Sequence, residues 1–182
     1  MHLAGPSGSD PDLVFVNAGQ EDPVAQPLLA ALAAEYAARY GGSAEEIHTG
    51  LRAYPAAEFA SPHGGLLIGL LDGIPVTGGA FRRFGLVDGT DTAELKRIWT
   101  DHRHRRRGFG RALLTRLEAE IIARGYRAVY LTTGDRQPEA EALYLACGYT
   151  RLDTPLPAAG EAYPVAFSKT VLTASSSNAP PV

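Results

Sequence analysis

Apolar and polar positions change period several times along the chain, and each change predicts an element. Leu13-Val14-Phe15-Val16 is an apolar run of strand length. Beyond it Leu28, Leu32 and Tyr36 recur at helical spacing, which predicts a helix running to Tyr40. Asp22-Pro23 supplies an N-cap and a first-turn proline for it, and Gly41-Gly42 a stop. Ser43-Ala44-Glu45-Glu46 has the form of a capping box, so a second, shorter helix is expected over Ala44 to Ala53. Tyr54-Pro55 and Ser61-Pro62 then break the chain into loops.

Asp72-Gly73, between Leu66 to Leu71 and Ile74 to Phe84, predicts a hairpin, because both turn residues tolerate positive φ. A loop from Gly85 to Thr92 is expected to reverse the chain into a strand from Ala93 to Asp101, completing an antiparallel meander. From Gly110 the period turns helical. Leu113, Leu117 and Ile121, joined by Leu114 and Ile122, share one face, Glu120 can pair with Arg124, and Gly125 stands where a C′ glycine belongs. Ala128 to Thr132 reads as the next strand, so strand, helix and strand make a crossover unit with parallel neighbours. Pro138 to Cys147 is a further helix stopped by Gly148, and Tyr149 to Asp153 and Val165 to Val171 are the last strands.

Composition narrows what this arrangement can do. A chain of 182 residues fits one domain, expected over 11–172, with tails at 1–10 and 173–182 too poor in apolar surface to order. A formal charge of −3 argues against a dedicated nucleic-acid binder. The longest apolar run, Gly65 to Leu71, is far short of the ~20 residues of a membrane span. Met1 to Asp10 has no export signal, so a cytoplasmic protein without membrane partners is expected. Cys147, the single cysteine, excludes an internal disulfide and a thiolate-rich zinc site, and its apolar setting suggests a buried, inert thiol. His48 and His63 lack partners at ligand spacing, so no metal is expected.

Local charge is another matter. Arg105-Arg106-Arg107-Gly108-Phe109-Gly110 links a strand to a helix, and that combination suits a diphosphate: the first amides of a helix lack internal partners, and the helix dipole is positive there. Gly108 and Gly110 would remove side chains that hold a phosphate away. A dinucleotide-binding unit is the competing reading, with Asp135 near the distance of a ribose-binding acid. Against it, Leu113 stands where the third glycine belongs, Asp101 to Arg107 separates the strand from the first glycine, and the unit follows an antiparallel meander.

Three stretches taken together, Glu94-Leu95-Lys96-Arg97-Ile98-Trp99-Thr100, Arg105-Arg106-Arg107-Gly108-Phe109-Gly110-Arg111-Ala112-Leu113-Leu114 and Ala140-Glu141-Ala142-Leu143-Tyr144-Leu145-Ala146-Cys147-Gly148-Tyr149, resemble the GCN5-related N-acetyltransferase (GNAT) superfamily over Leu66 to Leu152. The resemblance implies an α+β fold with a central mixed sheet of six to seven strands and about four helices. Its fourth and fifth strands, Ala93 to Asp101 and Ala128 to Thr133, splay to admit the pantetheine arm of acetyl-CoA. The family signature falls on Arg105, Gly108 and Gly110, with amides from Arg105 through Arg106, Arg107, Gly108, Phe109 and Gly110 to Arg111 around the pyrophosphate. Ile98 and Thr100 match the strand positions that pair with pantetheine, and an amide near Ile98 or Trp99 the oxyanion donor. Thr100 stands where an apolar residue is usual, and His102 where proline is frequent.

Acyl transfer to an amine requires loss of an ammonium proton, stabilisation of an oxyanion and protonation of a thiolate. Tyr144 matches the family tyrosine near the thioester sulfur; a core aromatic is the alternative. Glu94 resembles the position that draws a proton through water, or is an exposed edge-strand carboxylate. Gln137 stands where relatives carry asparagine, touching pantetheine or ordering its loop. Tyr36, Tyr40, Tyr54 and Phe59 fall in the acceptor-pocket region, where core packing accounts for most, and Arg82 and Arg83 read as surface charge. The expected activity is transfer of an acetyl group from acetyl-CoA to a primary amine of a small molecule or peptide. A non-catalytic acyl-CoA sensor and a nucleic-acid-binding basic turn are the other classes. Family habit leaves a homodimer through the C-terminal strands open.

Overall fold

A computed structural model describes residues 12–158 and 163–171. The tails expected at 1–10 and 173–182 lie outside the described residues. The elements are β1 (Leu13–Asn17), α1 (Gln26–Tyr40), α2 (Ala44–Ala53), β2 (Gly65–Leu71), β3 (Ile74–Val87), β4 (Thr90–Thr100), α3 (Phe109–Ala123), β5 (Ala128–Thr133), α4 (Pro138–Ala146), β6 (Thr150–Leu152) and β7 (Val165–Thr170). The strands form one seven-stranded sheet in the order β1-β2-β3-β4-β5-β7-β6. Every pairing is antiparallel except β4 with β5, the two strands that α3 connects. This is the mixed α+β architecture expected.

Two local expectations are corrected. The chain between β3 and β4 does not loop from Gly85 to Thr92. Both strands run on to a tight turn at Asp88-Gly89, with φ of 48° and 78°, nearly repeating Asp72-Gly73 at 50° and 78°. Leu86 near this turn is 68% exposed, so the strand end there buries no apolar stripe. Asp22, read as a helix N-cap, caps nothing ahead of it. Its carboxylate accepts from the Gly19 amide behind it at 2.6 Å, and a 3-10 turn, Pro23–Ala25, precedes α1.

Alternation along β2 to β4 divides the core between the two faces of the sheet. Leu67, Phe81, Ala93 and Leu95 pack against Leu113, Leu114, Leu117 and Ile121 of α3, whereas Leu66, Ile68, Ala80 and Trp99 pack against Leu28, Leu29 and Leu32 of α1. Each buried leucine contributes roughly 2 kcal/mol, so both helices are held by side chains that the strand period sorts.

The sheet is interrupted between β4 and β5. β4 and β5 pair only over Thr92 to Glu94 against Ala128 to Tyr130. Beyond that β4 continues to Thr100 and β5 to Thr133 without pairing, and a wedge opens between them. A bulge helps to turn β4 away: Arg97 and Ile98 together face Gly79 of β3, and Arg97 has φ of 59°, in the left-handed region that side chains other than glycine rarely adopt. Bulges sharpen local twist, which swings the end of β4 out of register with β5. Gly79 is required opposite it, since a Cβ there would lie 2.6 Å from Ile98 Cδ1.

Candidate active site

The turn between β4 and α3 presents a row of main-chain donors. Among the described residues, no amide from Arg105 to Arg111 donates to a protein acceptor, and the first helical bond of α3 is Ala112 N–H to the Gly108 carbonyl, at 3.0 Å. Arg106 (φ 61°) and Gly108 (φ 80°) both adopt left-handed backbone, which folds the stretch into a concave nest of N–H groups ahead of the α3 dipole. The side chains of Arg105, Arg106 and Arg107 are exposed around it.

The two glycines serve different ends. Gly108 is needed for its dihedral angle, because a Cβ there would meet nothing within 4 Å. Gly110 is needed for packing, because its Cβ would sit 3.1 Å from Leu143 of α4 and 3.7 Å from the Thr100 hydroxyl. Both glycines line the cleft, and Gly110 in addition lets the first turn of α3 approach α4 and the end of β4.

From this nest a cleft of about 670 Å³ runs down the wedge. Ile98, Trp99 and Thr100 form the β4 wall, Thr132 and Thr133 the β5 wall, and Leu143 and Tyr144 of α4 line its floor. The edge of β4 that faces β5 has no strand partner from Leu95 onward. Thr100 is partly engaged: its carbonyl accepts from Arg105 Nε at 3.3 Å, and its hydroxyl meets that of Thr77 at 3.0 Å. Tyr144 is 5% exposed and held by ring contacts with Tyr149 and Phe167. Burial, with smaller contributions from Tyr36 and Cys147, pushes its phenol well above the usual tyrosine value.

Helix α1 closes one side of the cleft. Glu35 pairs with Arg39 at 2.7 Å and with Arg105 of the nest at 3.2 Å, and Arg39 also pairs with Glu139 of α4. Tyr40 accepts hydrogen bonds from the Arg136 amide and from Gln137 Nε2, both at 3.4 Å, and Arg136 donates to the Arg39 carbonyl at 2.9 Å. Gln137 thus lines the cleft while tying its loop to α1, without capping α4. Of the aromatic residues expected near an acceptor, Tyr36 lines the cleft, Tyr40 holds this bridge, and Tyr54 stacks on Phe59 at 5.4 Å.

Glu94 is not the exposed edge-strand carboxylate that one of the two sequence readings made it. It is neither exposed nor on an edge strand: it is 4% exposed, on β4 between β3 and β5. Arg82 grips its Oε2 through Nε and Nη2, each at 2.9 Å, and Lys96 Nζ meets Oε1 at 2.9 Å. Arg82 also reaches Glu58 at 2.5 Å and the Tyr54 hydroxyl, so it belongs to a partly buried network rather than to the surface. Arg83 is the exposed one, 3.5 Å from Asp91. Glu94 does not line the cleft.

Arg97 is the residue that sequence reasoning passed over. At 9% exposure its guanidinium donates to Gln20 Oε1 at 2.7 Å and to the Leu51 carbonyl at 2.6 Å, and lies over the Phe59 ring at 4.6 Å. Desolvation lowers its pKa, opposed by Tyr36 and Tyr54. Only the motif-breaking position of an arginine inside an apolar strand could have drawn attention to it.

His102 and His104 both lean on Asp101, at 3.3 and 2.7 Å. Burial works to raise that carboxyl, but bonds from His104 and Arg103 outweigh it and leave it below the usual range. Cys147 is half-buried rather than enclosed, its thiol pushed up by burial. Among the described residues no three His, Cys, Asp or Glu side chains are placed to hold a metal, and no helix is long and apolar enough to cross a membrane.

Comparison with known proteins agrees with this geometry. The family model described as Acetyltransferase (GNAT) family matches residues 28–149. No curated protein matches the chain. A Klebsiella pneumoniae subsp. pneumoniae structure, provisionally assigned as an acyl-CoA N-acyltransferase, shares 24% identity and a TM-score of 0.68 over 90% of this chain and 100% of its own. A GNAT-family acetyltransferase from Staphylococcus aureus shares 13% identity and a TM-score of 0.69, over 87% and 99%. The PaiA N-acetyltransferase of Thermoplasma acidophilum, solved with coenzyme A, shares 16% identity and a TM-score of 0.65, over 88% and 99%.

Proposed function

The chain belongs to the acetyltransferase (GNAT) family, and from that membership we propose that it transfers an acetyl group from acetyl-CoA to a primary amine of a small molecule or peptide, by direct attack in a ternary complex. The observation that carries this reading is the continuity of the cleft: unpaired amides from Arg105 to Arg111 open at one end onto the unpaired edge of β4, and Tyr144 lies beneath. The nest would take the pyrophosphate, Ile98 and Thr100 would face pantetheine, and a Trp99 or Ile98 amide would face the thioester carbonyl.

The amine nitrogen attacks the thioester carbon, the tetrahedral intermediate collapses with loss of the C–S bond, and the nitrogen's extra proton leaves as the thiolate gains one. Tyr144 supports that departure in a specific way. A phenol whose pKa is raised by burial is a poorer acid than a free tyrosine, so its contribution is a hydrogen bond to the developing thiolate rather than complete proton transfer. The amine must arrive neutral. The carboxylates lining the cleft among the described residues, Glu35 and Glu139, are both held by Arg39, and Glu94 is held by Arg82 and Lys96. Deprotonation by water before attack fits this arrangement, with Glu94 organising the β4 wall instead of acting as base.

A thiol-release assay with acetyl-CoA across sugar amines, polyamines, amino acids and peptides tests the proposal. Turnover with one amine class supports it. Stabilisation by acetyl-CoA without turnover on any amine would identify an acyl-CoA sensor instead. Failure to bind acetyl-CoA at all would overturn both.

A further inference from the structure

The bulge in β4 is held open from a distance. Arg97 keeps φ at 59°, a conformation that disfavours any side chain with a Cβ, and it stands immediately before Ile98 and Trp99. Its side chain leaves the strand and ends in a fully furnished socket. Nη1 donates to Gln20 Oε1 at 2.7 Å and Nη2 to the Leu51 carbonyl at 2.6 Å, with Phe59 stacked at 4.6 Å and Tyr54 at 5.7 Å.

That socket is itself fixed. Gln20 is 3% exposed, and its Nε2 donates to the Arg52 and Tyr54 carbonyls at 2.8 and 2.9 Å. Leu51 and Arg52 lie in the last turn of α2, where carbonyls lack helical partners and the dipole favours a cation. The end of α2 therefore receives the Arg97 charge that no carboxylate among the described residues neutralises.

Resting on the acyltransfer reading above, we propose that Arg97 is a positioning residue: its clamp on Gln20 and the α2 terminus holds β4 in the bulged conformation that presents the Ile98 amide to the thioester, while the Trp99 backbone stays turned toward β3, where its carbonyl accepts from the Thr77 hydroxyl. The strained φ alone would relax toward a regular strand, and the clamp prevents this. Because the anchors belong to the segment before α1 and to the end of α2, the wall beside the acceptor and the acyl-binding strand move as one piece.

The left-handed φ supplies a discriminating test. Arg97→Ala removes the clamp and keeps the strain, whereas Arg97→Gly removes the clamp and also the strain. The expected result is that Arg97→Ala lowers kcat about 100-fold with KM for acetyl-CoA little changed, since misplacement by about 1 Å can cost that much. Arg97→Gly should recover about tenfold of this loss. Trp99 is the only tryptophan, so its emission reports the same strand without any turnover. It should shift red in ligand-free Arg97→Ala and return toward the wild-type position in Arg97→Gly.

Should Arg97→Ala fail to fold, Gln20→Ala removes one anchor only and is expected to lower kcat about tenfold, with the same emission shift in smaller degree. Equal kcat and equal emission in the alanine and glycine variants, or wild-type values in both, would overturn the proposal. Absence of turnover in the wild-type protein would instead count against the acyltransfer reading, and the emission comparison would still decide whether the clamp holds the bulge.

Discussion

At the end of the cleft proposed for the pyrophosphate the unpaired main-chain donors come from one continuous stretch, Arg105 to Arg111. At the end proposed for the acyl group, Arg97 of β4 is held by Gln20 of the segment before α1 and by the Leu51 carbonyl of α2, and Tyr144 lines the cleft from α4. The first is a local structure: two left-handed residues and a helix start make it, and side chains there mainly add charge. The second is a tertiary structure, in which a change tens of residues away is felt at the reacting atoms. The first end should therefore tolerate most side-chain changes and respond to backbone ones, and the second the reverse.

The strongest break of that contrast is at Tyr144. Tyr144→Phe removes only a hydroxyl and keeps the ring contacts with Tyr149 and Phe167, so stability should stay near wild type while kcat falls about 100-fold or more, within the range expected for a lost catalytic donor. Steady-state kinetics beside a thermal melt checks both halves. A small kcat effect would return Tyr144 to the role of core aromatic.

Glu94→Gln should behave in the opposite sense. Removing the carboxylate between Arg82 and Lys96 leaves Lys96 without its ion pair while Arg82 keeps Glu58, a loss of about 2 kcal/mol in unfolding free energy, and the pH dependence of kcat keeps its shape. Denaturant titration measures the first and a pH-rate profile the second. Loss of the acidic limb of that profile would restore Glu94 as the base.

Alkaline pH sharpens the contrast at the acyl end. Burial raises the phenols of Tyr36, Tyr144 and Tyr149, so each is neutral in the folded protein at a pH where the unfolded chain ionises it. Their contribution is complete below the unfolded tyrosine value of about 10 and is lost as pH rises through the higher folded values. Stability should therefore decline above about pH 10, and less steeply in Tyr144→Phe, as pH-dependent melts would show.

The smallest effect is expected at Glu35. It neutralises Arg105 at the nest, so Glu35→Gln should tighten acetyl-CoA binding about twofold to threefold in low salt and less in high salt. Calorimetry at two ionic strengths resolves it. No change would mean that the main-chain amides bind alone.

The element order, the hairpins, the crossover and the nest were legible from residues 13 to 170 because each depends on neighbours in sequence: strand and helix periods, Asp-Gly turns, and a glycine at φ 80° before a helix. The second Asp-Gly turn was legible too, once burial is set aside as a guide. The exposed edge-strand reading of Glu94 failed because a carboxylate on a strand looks the same whether or not Arg82 stands opposite, and that pairing is a matter of β3–β4 register. The packing of Gly110 against Leu143 was not legible, because it joins two helices far apart in the chain.

What the sequence by itself determined is therefore the local machinery, the order of elements and the row of unpaired amides, since these follow from short-range sterics and hydrogen bonding. Only the tertiary structure decided how far β4 stays beside β5, what holds the bulge at Arg97, and which carboxylates are already spent on arginines. Those depend on side chains meeting across the fold, and no spacing along the chain records which of them meet.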